Sequence, residues 1–159
     1  MDKFRAEQVI SDCKLALSRF DDELIADEFR LNLVLCLALL RAVGHCLQNE
    51  FRNDGIIFNK KKNDKIFTDF IKKFRDKILK NYSSNVGWEM VSVVGSNTYI
   101  IHYIITEGSY KGKDIRDVIT EAINCWEQYI FELNQEKYTL QPLIDTEETI
   151  SDLAQPFLY

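Results

Sequence analysis

The sequence predicts a mainly α fold, an up-and-down bundle of four helices with a β-hairpin between the third and the fourth. Three observations predict it. Apolar residues recur at three- and four-residue intervals through four separate stretches of the chain. One of these contains Leu33 to Leu40, apolar at every position, so a helix built from it belongs in the middle of the others. Between the third and fourth stretches the period changes to short runs rich in Val, Ile, Tyr and Thr.

Asp2 to Phe20 places Phe4, Val9, Ile10, Cys13, Leu17 and Phe20 on one side of a first amphipathic helix. Phe20-Asp21-Asp22-Glu23 breaks the pattern and supplies a cap and first-turn acids for a second helix, Asp21 to Gln48. The short connection predicts that these two helices pack antiparallel. Asn53-Asp54-Gly55 is a turn signal, Lys60 to Asn63 a solvated loop, and Asp64 a cap for a third helix running to Tyr82. Its apolar side is Phe67, Phe70, Ile71, Phe74, Ile78 and Leu79.

Trp88 to Thr106, divided by Gly95-Ser96-Asn97, reads as a β-hairpin at about 88–106. Two strands alone are marginal, so the hairpin must lie on the bundle or pair with another copy of itself. Asp114 caps a fourth helix to about Lys137, buried along Ile115, Val118, Ile119, Ala122, Ile123, Trp126, Tyr129, Ile130 and Leu133. Pro142, Pro156 and the acids at 145–148 predict a tail over 139–159 packed on the surface of a single domain, 1–138.

A chain of 159 residues is long enough to bury a core without disulfides or metals. Cys13, Cys36, Cys46 and Cys125 lie far apart with no C-x-x-C pair, so they are expected to be reduced core residues, with no metal and no cofactor. The longest unbroken apolar run is eight residues and the N-terminus is charged, from which a cytoplasmic protein with no membrane partner is expected. Charge is uneven. There are 7 basic and 10 acidic residues up to Phe58, 9 and 3 from Asn59 to Lys80, and 4 and 12 beyond, or nets of −3, +6 and −8. The central basic segment is either an anion-binding face or a helix that meets acidic neighbours.

No Gly-rich phosphate loop, nucleophile elbow or paired-histidine metal motif is present, which removes most enzyme classes. Of the two histidines, His102 falls in a strand, where a structural or exposed role is expected. Arg41, His45 and Gln48 form a polar stripe on the second helix. Arg41 and His45 are one turn apart, so Arg41 can hold a phosphate while His45 moves a proton. Alternatively Arg41 pairs with an acid such as Glu121 or Glu132, since a buried cation needs a partner in any case.

Arg75-Asp76-Lys77-Ile78-Leu79-Lys80-Asn81-Tyr82 resembles the signature of HEPN-domain proteins, all-helical bundles in which an Arg, often followed by Asn or Asp, precedes a His by four to six residues. In the branch found as toxins of toxin–antitoxin pairs, a Tyr follows two residues after that His. This chain has the Arg as Arg75, the polar neighbour as Asp76 and the Tyr as Tyr82, with Lys80 in place of the His. The resemblance implies a homodimer whose Arg and His meet between subunits and cleave RNA without metal.

Lysine, with an ordinary pKa of about 10.4, binds a phosphate but does not accept a proton at neutral pH. The expected function is therefore binding of RNA, a nucleotide phosphate or a partner protein, with ribonuclease activity lost or weakened. The candidate site has His45 and Arg75 in the catalytic places and Arg41, Lys80 and Tyr82 on the phosphate. Two alternatives stand beside it: an active metal-independent endoribonuclease using His45, and a non-catalytic interaction module in which Arg75 simply pairs with Asp69 or Asp76.

Overall fold

The computed structural model describes residues 5–20, 26–50, 64–81 and 85–152. Four helices pack around a shared core, with a two-stranded antiparallel hairpin between the third and the fourth. The elements are α1 (Arg5–Leu17), α2 (Ala26–Glu50), α3 (a π-wound stretch, Ile66–Phe74, continuing as α-helix over Arg75–Asn81), β1 (Val86–Ser92), β2 (Tyr99–Ile105) and α4 (Ile115–Asp152). The expected cap at 21–23, the turn at 53–55, the loop at 60–63 and Tyr82 lie outside the described residues.

Helix α1 buries Ala6, Ile10, Cys13 and Ala16 at helical spacing, and Phe20 follows them inside. It packs on α2, where the Cys13 thiol donates to the Cys36 carbonyl at 3.7 Å. The bond to Cys13 and burial push the Cys36 thiol up, so it stays protonated and unreactive. All four cysteines are free. Lys14 reaches Glu127 at 2.6 Å, tying α1 to α4 across the surface.

Helix α2 corrects one expectation. It is not buried on all sides: Leu33, Cys36, Leu37, Leu40, Val43 and Leu47 are buried, while Leu31 and Leu35 are 62% and 41% exposed. The apolar run is wider than the arc that α1 and α3 cover. By length and composition Asp27–Asn49 is also the one described stretch apolar enough to cross a membrane. On its inner side the Trp126 indole N–H donates to the Leu40 carbonyl at 3.0 Å, and Phe67 meets the Trp126 ring edge-on at 4.4 Å. Trp126→Phe removes that donor and part of the ring volume, and urea denaturation should show a loss of about 1–2 kcal/mol.

Asp64 caps α3 as expected, its carboxylate accepting from the Ile66 N–H at 3.0 Å. The helix buries Ile66, Phe70, Ile71, Phe74 and Ile78, leaving Leu79 49% exposed and Phe67 at the margin. Lys77 bonds to Glu107, Ser109 donates to Asp69 at 2.9 Å, and Tyr110 meets Phe70 edge-on at 5.7 Å. The loop after the hairpin is therefore fastened to α3 at three points. Burial, and then the charges of Glu121, Asp64 and Asp69, push the Tyr110 phenol up to about 12.

The strands pair Val86 with Ile105, Trp88 with Tyr103 and Ser92 with Tyr99. Gly95 sits at φ 87 in the connecting turn, a conformation that a side chain disfavours. Only the root of the hairpin joins the core: Tyr103 stacks on Phe29 at 4.1 Å and Ile105 is fully buried. In α4 every residue expected in the buried stripe is buried, from Ile115 to Leu133. The expected end near Lys137 is corrected: residues 139–152 continue α4 as helix. A proline removes one hydrogen bond and need not end a long helix, and Leu140, before Pro142, keeps a helical spacing to Leu143 and Ile144 after it. Backbone contacts divide the chain into two compact units, residues 1–127 and 128–159, a boundary inside α4.

Candidate functional site: a cationic cluster between α2 and α3

The winding of α3 decides where Arg75 points. Nine residues of ordinary α-helix make two and a half turns, which would set Arg75 on the side opposite Ile66. In the wider π winding the same nine residues make about two turns, so Arg75 returns to the buried side. Its backbone N–H bonds back to the carbonyls of Phe70 and Lys72, closing the π stretch on this residue. The Arg75 side chain is accordingly half-buried, at 24% exposure.

There it meets Asp76. The Arg75 Nε donates to Asp76 Oδ1 at 2.9 Å, and the terminal guanidinium nitrogen bonds to the same oxygen. This bond holds the Asp76 carboxyl below the ordinary carboxylate range against an opposing effect of burial, and the charges of Arg75, Lys80 and Arg41 lower it further. One carboxylate on α3 thus lies in the field of three cations, two on its own helix and one on α2, which packs against it.

Arg41 is half-buried, and its Nε is shielded from solvent without a hydrogen-bond partner among the described residues. Of the two acids expected as partners for Arg41, Glu121 faces Lys113 at 3.5 Å and Glu132 accepts from Gln128 at 3.1 Å. Lys80 is exposed one turn beyond Asp76. Three positive groups opposed by one negative group leave the field at this cluster positive.

His45 lies one turn beyond Arg41 and is exposed, as is Gln48. It is not among the groups that act on Asp76. The structure therefore gathers Arg41, Arg75 and Lys80, leaves His45 at the open margin of α2, and gives no position for Tyr82. Comparison with family models, with curated proteins and with solved structures finds no match. The HEPN resemblance accordingly stands on Arg75, Asp76 and Tyr82 in the sequence.

The rest of the basic segment is partly neutralised. Lys73 pairs with Asp69 at 2.8 Å and Lys77 with Glu107, the meeting with acidic neighbours expected as one reading of its charge.

A second polar cluster, which the sequence showed only as a cap, centres on Asp114. This residue is 8% exposed. Its Oδ1 accepts from the Arg116 backbone N–H at 2.9 Å and from Arg116 Nε at 3.1 Å. Its Oδ2 accepts from Arg116 Nη2 at 2.8 Å and the Tyr103 N–H at 3.3 Å, and lies 3.3 Å from His102 Nδ1. Burial pushes this carboxyl up, but the hydrogen bonds from Arg116 and Tyr103 outweigh it, so it is held below its ordinary value. Arg116 is spent on Asp114 and on the Ile101 carbonyl at 2.7 Å, and it covers the Tyr103 ring. The cluster locks β2 to the start of α4. Among the described residues no group of three or more His, Cys, Asp or Glu side chains could hold a metal ion.

Proposed function

We propose that this protein is HEPN-like and binds the phosphate of an RNA or a nucleotide between α2 and α3, with ribonuclease activity lost or weakened. The observation that carries the reading is the meeting of Arg41, Arg75 and Lys80 around a single carboxylate, with Arg41 Nε left without a hydrogen-bond partner among the described residues. The π winding supports it, because such stretches recur at functional sites and this one ends on Arg75. Lys80 contributes charge but no base. In a toxin-like relative the same place would hold the imidazole, so binding survives the replacement and proton transfer does not.

The exposed imidazole of His45, one turn from Arg41, favours slow metal-independent cleavage as the second reading. Anisotropy of a labelled single-stranded RNA, measured over a range of salt concentrations with chelator present, tests both. Arg41→Ala should weaken binding about tenfold and flatten the slope of log K against log salt by about 0.7, one phosphate contact. If neither RNA nor nucleotide binds or shifts the melting temperature, the reading fails and an interaction module remains. Cleavage that His45→Ala abolishes and His102→Ala spares would establish the second reading instead.

A further inference from the structure

The two edges of the hairpin are unlike. The Asn85 carbonyl accepts from the Thr106 N–H at 2.9 Å and the Thr98 carbonyl from the Val93 N–H at 3.1 Å, which fixes the ladder between them. In such an antiparallel ladder Gly87, Glu89 and Val91 exchange their main-chain bonds with β2, and Trp88, Met90 and Ser92 turn theirs outward. On β2 the outward groups toward the root are taken. The Ile101 carbonyl accepts from Arg116 at 2.7 Å, the Tyr103 N–H donates to Asp114 at 3.3 Å, and Ile105 bonds to Lys113 at 3.0 Å and to Gly112 at 2.8 Å. The approach to α4 therefore fills the β2 edge as a third strand would.

The β1 edge has no such cover. Among the described residues nothing bonds to the outward N–H and C=O groups of Trp88, Met90 or Ser92. All three residues are exposed, Trp88 at 66% and Met90 at 53%. Exposed edges are ordinarily guarded by Lys, Pro, a bulge or brevity, yet β1 runs seven residues in unbroken register without Lys, Arg or Pro. Its one charge is Glu89, on the face opposite Trp88, and Glu89 has no ion pair among the described residues.

We propose that the β1 edge docks an extended segment of a partner protein, which joins the hairpin as a third strand and sets a Lys or Arg against Glu89. The ladder decides where that residue goes. Because Trp88 and Met90 point their main-chain groups at the newcomer, the place opposite Glu89 in an antiparallel partner is a non-hydrogen-bonded pair, in which side chains approach most closely. A cation there meets an acid with no other partner. The residues on either side of it fall on the opposite face, beside the apolar side chains of Trp88 and Met90. The recognised pattern is therefore apolar, basic, apolar. A nucleic acid would find no cation on this strand. A second copy of β1 centred on the same edge sets Glu89 opposite or diagonal to its own counterpart, which like charges oppose. The inference does not rest on the phosphate reading.

The test titrates the full chain into a labelled peptide in which Val alternates with Thr around a central Lys, read by fluorescence anisotropy. It should bind with a Kd below about 1 mM and shift tryptophan emission to the blue as Trp88 is covered, since Trp126 is already buried. Met90→Pro removes an outward N–H and leaves the bonds to β2 in place, so it should weaken binding about tenfold with unchanged far-ultraviolet circular dichroism. Glu89→Lys, which does not depend on a proline being tolerated, should weaken the same peptide about fivefold and favour one with a central Glu by a similar factor. A wild-type chain that shows no binding at about 1 mM, a folded proline variant that binds as well, or indifference to the central charge overturns the proposal. So does sedimentation in which the protein alone self-associates and Met90→Pro restores a monomer, because the edge would then serve a second copy.

Discussion

Asp114→Ala is expected to destabilise the fold by about 3 kcal/mol, the sum of a lost helix cap and a buried charged network left open. The substitution strips the cap from α4 and leaves the Tyr103 N–H and the Arg116 guanidinium without their carboxylate in a nearly closed site. For a chain of this length the melting temperature should fall by roughly 9 °C. Asp114→Asn keeps an acceptor for the Arg116 N–H but loses the charge, so it should fall between alanine and wild type. The pH dependence has a definite sign. The folded carboxyl is held below its ordinary value, so its contribution is fully present above the unfolded pKa of about 3.9 and is lost as pH falls through the folded value. The gap between wild type and Asp114→Ala, measured by urea denaturation, should stay constant from pH 7 to about 5 and narrow below pH 4. A gap under 1 kcal/mol at pH 7 would show that the cluster does not hold the hairpin to α4.

What was legible in the sequence follows from which contacts are local. The stripe of α4, the cap at Asp64 and the hairpin turn are set by neighbours a few residues apart, and they appear as expected. The apolar run of α2 shows that its residues prefer burial, but not how much of the helix its neighbours cover, so the exposure of Leu31 and Leu35 is invisible until the helices pack. The π winding is hidden for another reason. Ile66, Phe70, Ile71 and Phe74 fall within an arc of about 140° in ordinary α-helix and within a similar arc in the wider winding, so periodicity does not separate the two. Asp114 reads as a cap, while its link to His102 joins residues from two elements. The same holds at the candidate site. Arg75 and Asp76 are adjacent, but Arg41 joins them only because α2 and α3 lie side by side.

That meeting makes Asp76 the residue whose replacement should act in the unexpected direction. Asp76→Asn is expected to tighten phosphate binding about fivefold, whereas Arg75→Ala should weaken it at least tenfold. Asp76 occupies Arg75 as an internal anion, and an incoming phosphate must compete with it for the same nitrogens. Asparagine keeps the size of the side chain and removes one negative charge a few ångströms from the ligand. At a half-exposed position this is worth about 1 kcal/mol, the origin of the fivefold figure. The gain should shrink as salt rises, because it is electrostatic. Measurement of labelled RNA and of a nucleotide by anisotropy and by calorimetry, on both variants and wild type, reads the two signs together. If Arg75 and Asp76 formed only a solvated ion pair, the two substitutions would change stability slightly and leave binding untouched. Opposite signs of effect on one ligand require that Arg75 contact it and that Asp76 compete with it. Equal losses for both would mean instead that Asp76 positions Arg75, and the competition argument would fall.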